Sequence, residues 1–179
     1  MKKNLLLAFA LMVQIPAISQ TDRLFRPFRL EAGMGYVKTE IAENKYALNF
    51  SLEPKYGITD AIWVGLRTEA AVMVMPTTYN DDFRAVGIFS VMPTVDYSFV
   101  VTEDFRPFVG LGAGLYMFQD YYDGEDSESA PLIRKAGVCP RIGFEYKRLR
   151  VAMEFNRAQD GASYTSFKMS LPFGEILEN

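Results

Sequence analysis

Leu30-Glu31-Ala32-Gly33-Met34-Gly35-Tyr36 is the stretch that decides the fold class. Every second residue is apolar, and Arg29, Glu31, Gly33 and Gly35 fall between them. Successive side chains of a strand point to opposite faces, so a period of two places the apolar set on one face and the polar set on the other. Working outward, the same alternation returns at residues 46–56, 61–74, 84–100, 105–118, 132–146, 149–156 and 164–173. Leu48, Phe50 and Leu52 alternate with Asn49, Ser51 and Glu53. Val109, Leu111, Ala113, Leu115 and Met117 alternate with Gly110, Gly112, Gly114 and Tyr116. With 28–39 this makes eight strands.

The N-terminus carries a different signal. Lys2 and Lys3 precede an apolar run over 5–13, and Ala17 and Ser19 stand at the −3 and −1 positions of a cut before Gln20. This order is that of a secretory signal. The expected organisation is a signal peptide over 1–19 and one barrel domain over 20–179. No later run offers the ~20 continuous apolar residues of a spanning helix, so a membrane crossing must be made by strands. The connections are expected to alternate longer, short, longer, short, longer, short, longer. Short periplasmic turns and longer external loops are the habit of outer-membrane barrels, and an even strand count leaves both termini in the periplasm. The expected fold is all-β: an eight-stranded antiparallel up-and-down transmembrane β-barrel.

If the apolar face meets lipid, the other face fills the barrel. Its charged members are Arg29, Glu31, Glu53, Lys55, Arg67, Glu69, Asp96, Arg106, Arg141, Glu145, Glu154 and Lys168. These are six acids and six bases. An eight-stranded interior is just wide enough for side chains, and isolated buried charges are costly. A balanced set therefore predicts an ion-pair network that plugs the lumen. Inward glycines, Gly33, Gly35, Gly65, Gly110, Gly112, Gly114 and Gly143, are expected to make room for the long Arg and Lys chains. A soluble lipocalin would have the opposite polarity, with an apolar cavity. The long continuous apolar face and the charge balance favour lipid outside.

Aromatics near strand ends (Tyr36, Tyr56, Tyr97, Phe99, Phe105, Phe118 and Tyr146) fit interfacial girdles. Pro54, Pro93, Pro107, Pro140 and Pro172 fall inside the strands. Each lacks a ladder donor, so bulges or frayed rims are expected at them, with Pro93 and Pro140 the deepest.

Chemistry has few footholds. The chain has no histidine, which removes Ser–His–Asp and Cys–His catalysis and His-ligated metals. Cys139 is the sole cysteine, so no intramolecular disulfide forms. It is expected to be a buried, inert thiol. Gly110-x-Gly112-x-Gly114 continues as strand, whereas a phosphate loop opens a helix. Glu31 and Glu69 could act as an acid–base pair, but the matching count of Arg and Lys favours structural pairing. The acidic loop with Asp120, Asp123, Glu125, Asp126 and Glu128 is the candidate external interaction site, for a divalent cation or a partner, against the plainer reading of a solvated loop. No cofactor is expected. Without a basic patch with interleaved aromatics, neither is nucleic acid.

Phe105-Arg106-Pro107-Phe108-Val109-Gly110-Leu111-Gly112-Ala113-Gly114 resembles the "RPYVGLGxG" strand of small outer-membrane barrels of the OmpA/OmpX/OmpW kind. Pro93-Thr94-Val95-Asp96-Tyr97 and Tyr56-Gly57-Ile58-Thr59-Asp60 resemble their periplasmic strand ends. Gly143-Phe144-Glu145-Tyr146 is similar to their penultimate hairpin, and the overall style resembles porin-family-like barrels of Bacteroidetes. The resemblance implies the outer membrane of a Gram-negative bacterium, a surround of outer-membrane lipid, and insertion by the barrel-assembly machinery. The chain departs from the family in two ways. No peptidoglycan-binding domain follows, and Phe173 is trailed by 174–179 where the family ends on an aromatic. The expected function is non-enzymatic, structural or surface-interacting. The alternative is a narrow pore or conduit for small solutes, apolar ones included, across the outer membrane.

Overall fold

The structure, a computed structural model, describes residues 28–39, 46–76, 83–99, 101–102, 104–122 and 131–173. The signal segment, residues 123–130 of the acidic loop and the tail after Phe173 lie outside them. Eight strands follow in chain order: β1 Phe28–Thr39, β2 Tyr46–Gly57, β3 Ile62–Pro76, β4 Phe83–Ser98, β5 Phe105–Tyr122, β6 Ile133–Tyr146, β7 Leu149–Ala158 and β8 Ser163–Phe173. Each pairs antiparallel with its sequence neighbour, and β8 pairs with β1 to close the barrel.

The register can be followed around the ring from Phe28. It passes Tyr56, Val64, Val95, Leu111 and Pro140, crosses to Phe155, continues to Thr165, and re-enters β1 at Lys38. The stagger is thus ten residues, since the walk starts at 28 and ends at 38. Such a shear goes with strands tilted by about 35–45°.

The polarity is that of a membrane protein. Outward residues such as Phe50, Leu52, Val72, Leu111, Ile142 and Phe167 are exposed. The buried set is dominated by charged and polar side chains. This is the reverse of a lipocalin. Of the aromatics expected at the interfaces, Tyr36, Tyr56, Tyr97, Phe99, Phe105 and Tyr146 face outward. Phe118 does not: it has the inward parity of Tyr116 and packs with the interior cluster.

Two further expectations are corrected. The prolines cause no bulge. Leu52↔Thr68 and Lys55↔Gly65 share one register across Pro54. Val91↔Leu115 and Thr94↔Gly112 do so across Pro93, and Val138↔Arg157 and Arg141↔Glu154 across Pro140. A strand residue's N–H and C=O point to the same neighbour, so each proline interrupts pairing on one side and leaves the other ladder continuous. The connections also alternate less cleanly than expected. β4 ends at Ser98, so the connection over 99–104 is as long as those over 40–45 and 77–82. Its chain is still held, with Phe99 N–H donating to the Pro107 carbonyl at 2.8 Å.

The strands are unequal. β3 and β4 pair out to Pro76↔Phe83, and β4 and β5 out to Arg84↔Tyr122. By contrast, β2–β3 pairing stops at Leu48↔Val72 and β5–β6 pairing at Phe118↔Ile133. Among the described residues, the β3–β4 and β4–β5 ladders therefore run further toward the loop end than the ladders that flank them. Residues 119–122, expected in the acidic loop, belong to β5.

Candidate functional site

The lumen is filled in layers. At the turn end Trp63 and Phe108 form an aromatic floor, each covered by a guanidinium: Arg29 lies 4.2 Å from the Trp63 ring centre and Arg150 3.3 Å from that of Phe108. Such stacking lets a buried cation keep an attractive partner on its face while its edge is free for carboxylates.

Above the floor sits the larger charge cluster. Arg29 meets Glu31 at 2.7 Å and Glu145 at 3.1 Å. Lys55 meets Asp96 at 2.7 Å and Glu31 at 3.0 Å. Arg141 grips Glu53 with two nitrogens, at 3.0 and 2.7 Å, while its Nε donates to Asp96 at 2.7 Å. Arg150 donates to the other Asp96 oxygen at 2.6 Å. Thr94 donates to Glu53 at 2.6 Å. Four cations (Arg29, Lys55, Arg141 and Arg150) face four carboxylates (Glu31, Glu53, Asp96 and Glu145), so the layer is neutral.

The next layer is smaller and also neutral. Arg67 and Lys168 reach Glu154 at 2.5 and 2.7 Å, and Lys168 lies 3.7 Å from Glu69. Tyr164 donates to Glu69 at 3.0 Å. Arg67 and Tyr116 both donate to the Asn156 carbonyl oxygen, at 3.0 and 2.8 Å. Arg141, 3.9 Å from Glu154, links the two layers. Toward the loop end an apolar lid of Val37, Ala47, Ala71, Ile88, Tyr116 and Tyr164 closes over them.

Eleven of the twelve charged residues expected inside are buried in these layers. Arg106 differs. It has inward parity but lies half-buried near the turn end, opposite Glu145. Arg150 was missing from the expected set and is buried in its place, so the balance of six acids and six bases among the described buried residues stands. Its signal was present: Arg150 shares the parity of Ala152, Glu154 and Asn156. Glu31 and Glu69 are not an acid–base pair, because each is held by cations of a different layer. Cys139 is fully buried, with the Arg67 guanidinium donating to its sulfur at 3.4 Å.

The glycines play a mixed part. A Cβ on Gly65 would lie 2.9 Å from the Lys55 chain, and one on Gly110 would collide with Asp96 and crowd Arg141. At Gly112 and Gly114 the nearest side chain is Met92, at Gly143 it is Phe108, and at Gly33 and Gly35 it is Ser51 and Asn49. Only two of the seven inward glycines thus accommodate a long cationic chain. Of the acidic-loop residues, Asp120 lies on β5 opposite Val86, and Asp123, Glu125, Asp126 and Glu128 fall outside the described residues.

Solved structures share this architecture. The chain has the fold of the small eight-stranded outer-membrane β-barrels. Neisserial surface protein A aligns with a TM-score of 0.58 at 12% identity, covering 83% of this chain and 97% of that one. Ail, the attachment invasion locus protein of Yersinia pestis, solved with the heparin analogue sucrose octasulfate, aligns at 0.55 and 13% identity, over 83% and 100%. The N-terminal barrel domain of Pseudomonas aeruginosa OprF aligns at 0.51 and 11%, over 83% and 99%. No family model matches the sequence. No curated protein matches it either.

Proposed function

We propose that the protein is a non-enzymatic resident of the Gram-negative outer membrane, whose lumen is closed and whose work is done at the external surface. The observation that carries this reading is the stack of two neutral ion-pair layers between an aromatic floor and an apolar lid. Ion movement would require separating buried pairs, and leaving one partner unpaired costs about 3–5 kcal/mol. The longer β3–β4 and β4–β5 ladders support the surface role, because among the described residues they carry strand backbone furthest toward the loop end. Lipid of the outer membrane surrounds the wall, and the barrel-assembly machinery inserts it.

The test is single-channel recording in a planar bilayer with the refolded chain, folding being confirmed by a heat-modifiable gel shift. Folded protein giving silent membranes is the expected result. Steady discrete openings would instead make the protein a narrow channel.

A further inference from the structure

Charge is sorted on the outer wall as well as in the lumen. Among the described residues, the outward positions of the eight strands carry three charged side chains, and all three are basic: Lys38, Arg134 and Arg157. Each is exposed, and each is one residue from the loop end of its strand: Lys38 before Thr39, Arg134 after Ile133, Arg157 before Ala158. Their strands, β1, β6 and β7, fall within one continuous arc of four neighbours, β6-β7-β8-β1. No charged side chain interrupts the apolar band below them on this arc.

We propose that Lys38, Arg134 and Arg157 form a binding site for the phosphorylated headgroup of an outer-leaflet glycolipid. Position argues for a lipid rather than a soluble anion. The cations crown the lipid-facing wall, directly above Tyr36 and Met34 on β1, Phe155 and Met153 on β7, and Val138 and Ile142 on β6. A ligand whose anionic head meets the cations would lay its acyl chains along that band. Spacing argues for more than one phosphate. Lys38 is level with Phe155 by way of Thr165, two residues below Arg157. Arg157 is level with Val138, four residues below Arg134. At about 3.4 Å per residue and 4.8 Å per strand, the steps are roughly 12 and 14 Å. One phosphate cannot bridge all three, whereas a sugar framework with two separated phosphates can.

The experiment titrates the refolded full chain in a non-ionic detergent with fluorescent bisphosphorylated lipid A, phosphatidylglycerol and sucrose octasulfate. The test variant combines Lys38→Gln, Arg134→Gln and Arg157→Gln. The control combines Lys147→Gln and Arg148→Gln at the opposite turn, and all variants are checked by gel shift. Bisphosphorylated lipid A should bind the wild type at least about tenfold more tightly than phosphatidylglycerol, and the triple variant should lose about a hundredfold, at roughly fivefold per cation. The control should bind as wild type. Should the triple variant fail to fold, Arg134→Gln alone should lose about fivefold. Undiminished binding by the substituted arc would overturn the proposal. So would equal binding of phosphatidylglycerol, which would mean generic anionic attraction. Binding of sucrose octasulfate in preference to lipid A would assign the cations to a soluble glycan and likewise overturn it. Channel recordings do not bear on this site, so its failure and that of the closed-lumen reading are separable.

Discussion

Arg67 shows what a single lumen charge is worth. It is fully buried and holds Glu154, Asn156 and the Cys139 sulfur. Arg67→Ala should therefore cost about 3–5 kcal/mol, because Glu69 and Glu154 would be left to share Lys168, with Arg141 3.9 Å from Glu154. The urea midpoint of reversible folding into lipid vesicles measures it. Gly110→Ala should destabilise by about 1–3 kcal/mol in the same assay, since the new methyl occupies space held by Asp96 and Arg141. At this scale the sequence was legible in one dimension. Parity reveals which face a residue takes, and every expected lumen charge has the inward parity. Depth is a different quantity. Arg106 and Arg150 both lie near turns and both point inward, yet only Arg150 is fully buried, where Asp96, Glu31 and Glu145 converge on it from three other strands. That convergence depends on the stagger of the ring, which no local pattern encodes.

At the level of the strand, the period-two reading located all eight elements, and its errors are confined to their ends. β5 runs on through Gln119 to Tyr122 because β4 continues to pair with it, a long-range cause. The prolines were read as threats to register. They are not, since each interrupts only one of its two ladders. Pro140→Val should restore a donor toward β7, so the new amide at 140 should become protected from hydrogen exchange and the barrel should unfold more slowly. The outward face gives a sharper expectation. Phe50, 55% exposed and opposite Met34 on β1, lies within the apolar band. Phe50→Arg should cost about 2–4 kcal/mol if that band sits at the bilayer midplane, read again from the urea midpoint.

For the whole molecule, the closed lumen makes a prediction that needs no electrical recording. Cys139 is the chain's one cysteine and is fully buried among Arg67, Met92 and the apolar cluster. A water-soluble maleimide should label it only after unfolding, while an open aqueous lumen would let it react within minutes in the folded state. The plug itself was legible as a balanced count, but its division into two neutral layers beneath an apolar lid was not, because layering arises from how eight staggered strands meet across the axis. The pairs that make those layers join distant parts of the chain: Arg29 to Glu145 across 116 residues, and Glu69 to Tyr164 across 95. Neither can exist while the first and last strands are apart. Until then the groups of those pairs have water as their partner, and a half-built ring would carry that water into hydrocarbon. The order of events during biogenesis follows. In the proposed membrane setting, ring closure must come before, or together with, release into lipid, so the interior would act as a timer on insertion until the two ends of the chain have met.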